Sequence, residues 1–192
     1  MLRSISATLI AVAALVLPVQ ASTISISGNY TGTVINNLTF VDPDFVGAQT
    51  VSGTGNLAPL GSYTLTASDD VTFFGPTFLS NTLTNGILTD TFGGGTLFGT
   101  YTGHGISNAS NTTETLDYAF TGGTGVFLGY TGSSHGTANI INGTGAISYT
   151  GMGSLTTTPI PSTWLMLLSG LVGLGFFAYR GSKKGAVVLA AA

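Results

Sequence analysis

The chain predicts an all-β fold, a Gly/Thr-rich antiparallel barrel or alternatively a β-sandwich, followed by one C-terminal transmembrane helix. Three observations carry this. Short runs of Thr, Tyr, Phe, Val and Ile alternate with small polar residues through the middle of the chain, the period-two pattern of half-buried strands. Of the 29 glycines, 24 lie between Gly28 and Gly153 and punctuate those runs, where they would weaken any helix by up to about 1 kcal/mol each relative to alanine. Near the end, an uncharged stretch from Trp164 to Tyr179 is closed by Arg180, Lys183 and Lys184.

The first element, residues 1–21, reads as an export signal. Arg3 supplies the basic start, Ala7 to Leu17 the apolar run, and Pro18-Val-Gln-Ala21 the small-residue end, with cleavage after Ala21. The apolar run is shorter than the roughly 20 residues needed to cross a bilayer.

Residues 22–157 form the predicted exported domain. Its expected strands are Thr23–Ser27, Ser62–Thr66, Val71–Phe74, Thr96–Tyr101, Leu116–Phe120, Gly125–Tyr130 and Ala146–Thr150. Tyr-Thr-Gly begins at Tyr30, Tyr101, Tyr130 and Tyr149 with unequal spacing, which argues against a fixed-period solenoid. It is read as an aromatic on one face, threonine on the other, and glycine at a turn or bulge. Exposed strand edges are usually guarded by charge, and here there is almost none. Closing the sheet removes the edge; pairing edges between molecules would make a self-assembling matrix fibre.

Charge excludes several functions. The chain has 4 Lys and Arg against 7 Asp and Glu. No Lys or Arg lies between Arg3 and Arg180, whereas average usage would place roughly 20 there. Such a surface cannot neutralise phosphates, so nucleic acid is excluded, and so is electrostatic adhesion to anionic lipid. Ion pairs in this interval can form only through His104 and His135. The absence of cysteine rules out disulfides, thiolate catalysis and cysteine-based zinc sites.

No residue is assigned to catalysis, cofactor binding or metal binding, and no cofactor is expected. Ser133-Ser134-His135 sets hydroxyls beside an imidazole, but neighbours on a strand face opposite ways, and the histidine would need Asp117 or Glu114 to orient it. His104 and His135, flanked by glycine, are read as solvated turn histidines rather than zinc ligands. Asp42, Asp44, Asp69 and Asp70 lack the spacing of a calcium loop and are read as turn aspartates. Thr121-Gly-Gly-Thr-Gly125 lacks the lysine and helix of a phosphate loop. Asn29, Asn37, Asn108, Asn111 and Asn142 each begin an Asn-x-Ser/Thr triplet, which matters only where the matching transferase exists.

Phe120-Thr-Gly-Gly-Thr-Gly-Val-Phe-Leu-Gly-Tyr-Thr-Gly132 resembles the GGTG-x-F-x-G-x-x-G segment of dirigent and allene-oxide-cyclase-like β-barrels and of related bacterial exported proteins. Gly53–Thr66, Leu97–Gly103 and His135–Gly145 fall where those relatives carry strands, so the likeness covers about Val51 to Gly151. Val126 departs from it, standing where the bacterial relatives commonly carry a basic residue. The resemblance implies a barrel, with ligand-binding or enzymatic capacity as one option. Gly122, Gly123 and Gly125 would form a tight corner with Phe127 turned inward.

Residues 158–184 hold Pro159, Ile160, Pro161, Ser162, Thr163 and Trp164, then the glycine-rich span and the basic cluster Arg180, Lys183 and Lys184. This order is similar to the PEP-CTERM sorting signal, with Ile160 in place of the glutamate of the name. The resemblance implies an exosortase-type processing enzyme as partner, a Gram-negative cell that makes exopolysaccharide, and delivery to the cell surface or extracellular matrix. On physical grounds, the two prolines keep the segment extended, the basic cluster holds the C-terminus inside, and residues 185–192 form a cytoplasmic tail. The expected protein is exported, transiently anchored in the inner membrane, non-catalytic, and structural or interacting within a polysaccharide layer.

Overall fold

The computed structural model describes residues 21–75, 77–158, 167 and 170–175. Eight strands follow one another: β1 (Thr23–Val41), β2 (Asp44–Ala58), β3 (Gly61–Phe74), β4 (Ser80–Phe92), β5 (Gly95–Ser107), β6 (Asn111–Gly123), β7 (Tyr130–Ile141) and β8 (Ala146–Thr157). Each pairs antiparallel with the next, and β8 pairs with β1, closing an up-and-down barrel. The sandwich alternative is thereby excluded. All eight strands and their core lie within Ser22–Thr158, a compact unit of its own.

Alternation builds the core. On β6 the inward series Leu116, Tyr118, Phe120 is interleaved with outward Asp117 and Ala119. Ile26, Tyr30 and Val34 on β1, Val71 and Phe73 on β3, and Ile147, Tyr149 and Leu155 on β8 behave likewise. Threonine takes the outer face, where Thr23 meets Thr156 and Thr33 meets Ser52 through their hydroxyls.

Several sequence expectations need correction. Ser62–Thr66 and Val71–Phe74 are parts of one strand, carried through a register shift between Ser68 and Asp70. Gly125–Tyr130 is not a strand: Gly125–Phe127 makes one 3-10 turn, and β7 starts only at Tyr130. Of the expected corner only Gly125 turns the chain, at φ 60°, with Phe127 buried against Phe92, while Gly122 and Gly123 belong to β6. β4 was missed and β2 was touched only at its end, through Gly53–Thr66, because their glycine, asparagine and threonine content hides the alternation.

The glycines of the Tyr-Thr-Gly repeats lie inside strands rather than at turns. In each repeat tyrosine and glycine both point inward. A Cβ at Gly151 would strike the Tyr149 hydroxyl and one at Gly55 would lie 2.9 Å from the Tyr63 ring. A small barrel filled by tyrosines needs bare backbone opposite them, which alternating small and large residues provide.

The barrel has two distinct ends. Ser22 and Thr158 lie at one end, where the Thr157 amide bonds Ser22 O at 3.0 Å and Thr158 bonds Gly129. The β1–β2, β3–β4, β5–β6 and β7–β8 turns form the other. Both chain connections therefore leave from the same end.

The export signal through residue 20, the sorting motif Pro159, Ile160, Pro161, Ser162, Thr163, Trp164 and the cluster Arg180, Lys183, Lys184 lie outside the described residues. Ala21 is exposed just before β1, and residues 170–175 are helical. Among the described residues no helix is long and apolar enough to cross a membrane.

Candidate functional site: the barrel interior and its open mouth

The middle of the barrel is filled. Tyr30 stacks on Tyr149 with centroids 5.0 Å apart, Tyr149 meets Tyr118 edge-on at 5.5 Å, and Tyr118 reaches Tyr101 at 5.3 Å. Toward the end that carries Ser22 and Thr158, Tyr63, Phe92, Phe127 and Tyr130 continue the series. The void left between Tyr30, Tyr63, Asp90, Tyr118 and Tyr149 measures about 30 Å³, the measure of a single water.

Three of the seven acids lie in this interior, and the turn reading of Asp69 is corrected by its position on β3. Asp69, Asp90 and Glu114 are 4%, 5% and 1% exposed. Tyr101 donates to Asp69 Oδ2 at 2.5 Å and Asn81 Nδ2 donates to Glu114 Oε1 at 2.7 Å. Asp69 Oδ1, Asp90 Oδ1 and Asn81 Oδ1 have no partner among the described residues. With no basic side chain in the domain, burial dominates. It pushes Asp69 up to about 6 despite the Tyr101 hydrogen bond, and Asp90 to about 7. Glu114 also rises to about 7 through burial, with the Asn81 bond opposing and Asp69 adding to the rise. Burial likewise raises the phenols of Tyr30, Tyr63, Tyr101, Tyr118 and Tyr149.

At the end opposite Ser22 and Thr158 the barrel opens into a cavity of about 690 Å³, within the range of roughly 300–1,000 Å³ usual for small-molecule sites. Gln49 and Glu114 form its floor. One wall is aromatic, made by Phe73 and Phe78. Phe78 sits at φ 52°, a left-handed conformation uncommon for a side chain of its size, with its ring 4.5 Å from Phe45 and 5.6 Å from Phe73.

The remaining wall is a network of amides and hydroxyls. Asn108 Oδ1 accepts from the Ser110 and Asn111 amides at 2.9 and 2.8 Å. Asn142 Nδ2 donates to Asn108 O, Asn142 Oδ1 accepts from Thr112, and Thr112 shares a hydrogen bond with Ser107. Between the neighbouring strands β1 and β2, Gln49 Nε2 donates to Asn36 Oδ1 at 2.9 Å. These bonds hold the amide groups in place before any ligand arrives, which lowers the ordering cost of binding.

The other sequence candidates lie on the outer face. His104 and His135 are on β5 and β7, not on turns. His135 Nδ1 meets Asp117 Oδ1 at 2.7 Å in the open, the pairing that could orient a catalytic imidazole. Ser134 instead points inward to Tyr149, at 3.3 Å. Ser133 faces outward in register with Ala119 and Ser154. Among the described residues no cluster of three His, Asp or Glu side chains could hold a metal ion. Asp42 belongs to the β1–β2 turn and Asp44 Oδ1 accepts from the Gly75 amide. Thr124 bonds Thr96, tying the glycine corner to β5.

Glu114, Asp90 and Asp69 were the residues that sequence reasoning missed, though a signal exists for each. Glu114 is in phase with Leu116, Tyr118 and Phe120; Asp90 with Leu88 and Phe92; Asp69 with Val71 and Phe73. No protein-family description, no curated protein and no solved structure matches the chain.

Proposed function

We propose that the chain is an exported protein of the cell envelope or extracellular matrix whose barrel is a non-catalytic binding module for uncharged, hydroxyl-rich ligands such as neutral exopolysaccharide. Its C-terminal segment, a PEP-CTERM-like sorting signal with one transmembrane helix, is the substrate of an exosortase-type enzyme and delivers the barrel to the surface. The observation that carries the binding role is the mouth. A phenyl wall suits the apolar face of a pyranose ring, and prearranged amides suit its hydroxyls. The domain's lack of any cation disfavours anionic ligands. The mouth lies at the end of the barrel opposite Ser22 and Thr158.

The test is titration of the 22–158 barrel with a neutral β-linked glucose trisaccharide and with an acidic uronic trisaccharide, followed by amide shifts. Saturable shifts at Asn108, Asn142 and Phe78 with the neutral sugar alone, insensitive to salt, are expected. Tight calcium-free binding of the acidic sugar that weakens with salt would contradict the reading.

One observation favours a second reading, an enzymatic barrel of the dirigent or allene-oxide-cyclase type. Glu114 titrates near neutrality at the floor of the cavity, as a proton-transferring acid would. Turnover of a bound ligand that is abolished by Glu114→Gln would establish it.

A further inference from the structure

Closure of the barrel leaves one long stretch of strand with a single neighbour. β1 pairs with β8 only as far as Thr33, opposite Ala146, yet continues beside β2 to Val41, opposite Asp44. The last backbone bond on the β8 side is from the Val34 amide to Gly145 O, at 2.7 Å. By the alternation of an antiparallel ladder, the amides and carbonyls of Asn36, Leu38 and Phe40 face that same side. No strand is registered there among the described residues.

This edge has none of the usual protection. Ile35-Asn-Asn-Leu-Thr-Phe-Val41 contains no charge and no proline, and its pairing with β2 runs without a register shift. Ile35, Phe40 and Val41 are 67%, 55% and 54% exposed. A long, apolar, uncharged edge is a template for another strand.

We propose that the barrel forms a two-fold dimer in which Ile35–Val41 of β1 pairs antiparallel with the same segment of a second copy, centred on Leu38. The segment is self-complementary in that register. Leu38 faces Leu38 of the other copy and Asn36 faces Phe40 on the inward side of the strand, where Asn36 and Leu38 line the cavity, while Ile35 meets Val41 on the outer face. Asn36, Leu38 and Phe40 each donate one backbone hydrogen bond and accept one. The antiparallel arrangement also keeps the two copies of Asp42 at opposite ends of the paired stretch. A parallel in-register pair would set Asp42 against its own copy, with no Lys or Arg in the domain to offset the repulsion. The contact is isologous and uses up the edge, so assembly closes at two rather than growing into a fibre. This inference does not depend on the proposed ligand.

The barrel fragment 22–158 is to be followed by sedimentation equilibrium across the micromolar range, with two variants. Phe40→Pro removes an amide that faces away from β2, so the barrel and its circular dichroism stay intact and the dimer is lost. Leu38→Cys introduces the only cysteine in the chain. An antiparallel hydrogen-bonded pair holds Cα atoms about 5.5 Å apart, inside the disulfide range of about 4.4–6.8 Å, so oxidation yields a cross-linked dimer. Thr66→Cys on the outer face of β3 yields none. A wild-type barrel that stays monomeric throughout, including one that pairs only with a foreign extended peptide, overturns the proposal. So does a folded Phe40→Pro that still dimerises, or Leu38→Cys that cross-links no better than Thr66→Cys. Should Phe40→Pro misfold, the cross-linking pair decides.

Discussion

Tyr101 donates its phenolic hydrogen to Asp69 Oδ2 across the barrel interior, tying β5 to β3 at 2.5 Å. The bond satisfies one carboxyl oxygen and leaves Oδ1 without a partner. It lowers the Asp69 pKa less than burial raises it. The interior therefore prefers this acid, and Asp90 and Glu114 with it, in the protonated form.

That preference sets a pH dependence. The three carboxyls titrate near 6 to 7 when folded and near 4 when unfolded. Between those values the folded state binds more protons, so stability falls as pH rises. The contribution is fully present below about pH 4 and lost once pH passes the folded values near 7. Thermal unfolding of the 22–158 barrel from acid to neutral pH should show a falling melting temperature. Asp90→Asn, which cannot ionise, should flatten the decline.

Interior glycines set a second expectation. Gly151→Val forces a branched side chain onto the Tyr149 hydroxyl and the His135 carbonyl. Overpacking of this kind costs about 1–3 kcal/mol or more. Gly93→Ala, with nothing within 4 Å of its added carbon, should stay within about 0.5 kcal/mol of wild type. Urea denaturation of both variants measures the difference.

The Asn81–Glu114 pair is a third. Glu114→Ala strands the buried Asn81 amide, a loss of about 1–3 kcal/mol. Glu114→Gln keeps an acceptor oxygen for Asn81 Nδ2 and should recover most of that stability in the same denaturation experiment.

Outside the barrel, the His135–Asp117 pair is 64% and 65% exposed, and exposed pairs contribute little. His135→Ala should shift the unfolding midpoint by no more than about 0.5 kcal/mol and leave sugar titrations unchanged. Phe78→Ala should weaken neutral trisaccharide binding about tenfold, the loss of one stacking contact. Titration of both variants with the neutral trisaccharide, followed by amide shifts, compares them.

Deleting residues 159–184 tests the sorting hypothesis. The truncated chain should appear as a free exported barrel, while the full chain fractionates with the envelope. Immunoblotting of cell fractions reads the result, and a truncated chain still held in the inner membrane would overturn the proposal.

Much of this barrel was legible in the residues. Leu116-x-Tyr118-x-Phe120 shows its inward phase directly, because large apolar side chains alternate with small or polar ones. The phase fails to announce itself on β2 and β4, where glycine at Gly47, Gly53, Gly55 and Gly86 occupies inward positions that a pattern search expects to be apolar. Asp69, Asp90 and Glu114 were misplaced for a related reason. A carboxylate reads as solvent-facing until its phase is extended from the neighbouring apolar residues.

The amino-acid sequence alone established the β architecture, the lack of any Lys or Arg between Arg3 and Arg180, and, with no cysteine, the exclusion of disulfides, since these follow from periodicity and residue type. Closure into a barrel, the inward turn of three acids, and the gathering of Phe78, Asn108, Asn142 and Glu114 around one mouth arise only when β8 meets β1. Those residues come from different hairpins, and no local pattern records the register that brings them together. That register also leaves Ile35–Val41 with β2 as its single strand neighbour among the described residues: the stagger that closes the barrel carries β1 past the end of β8.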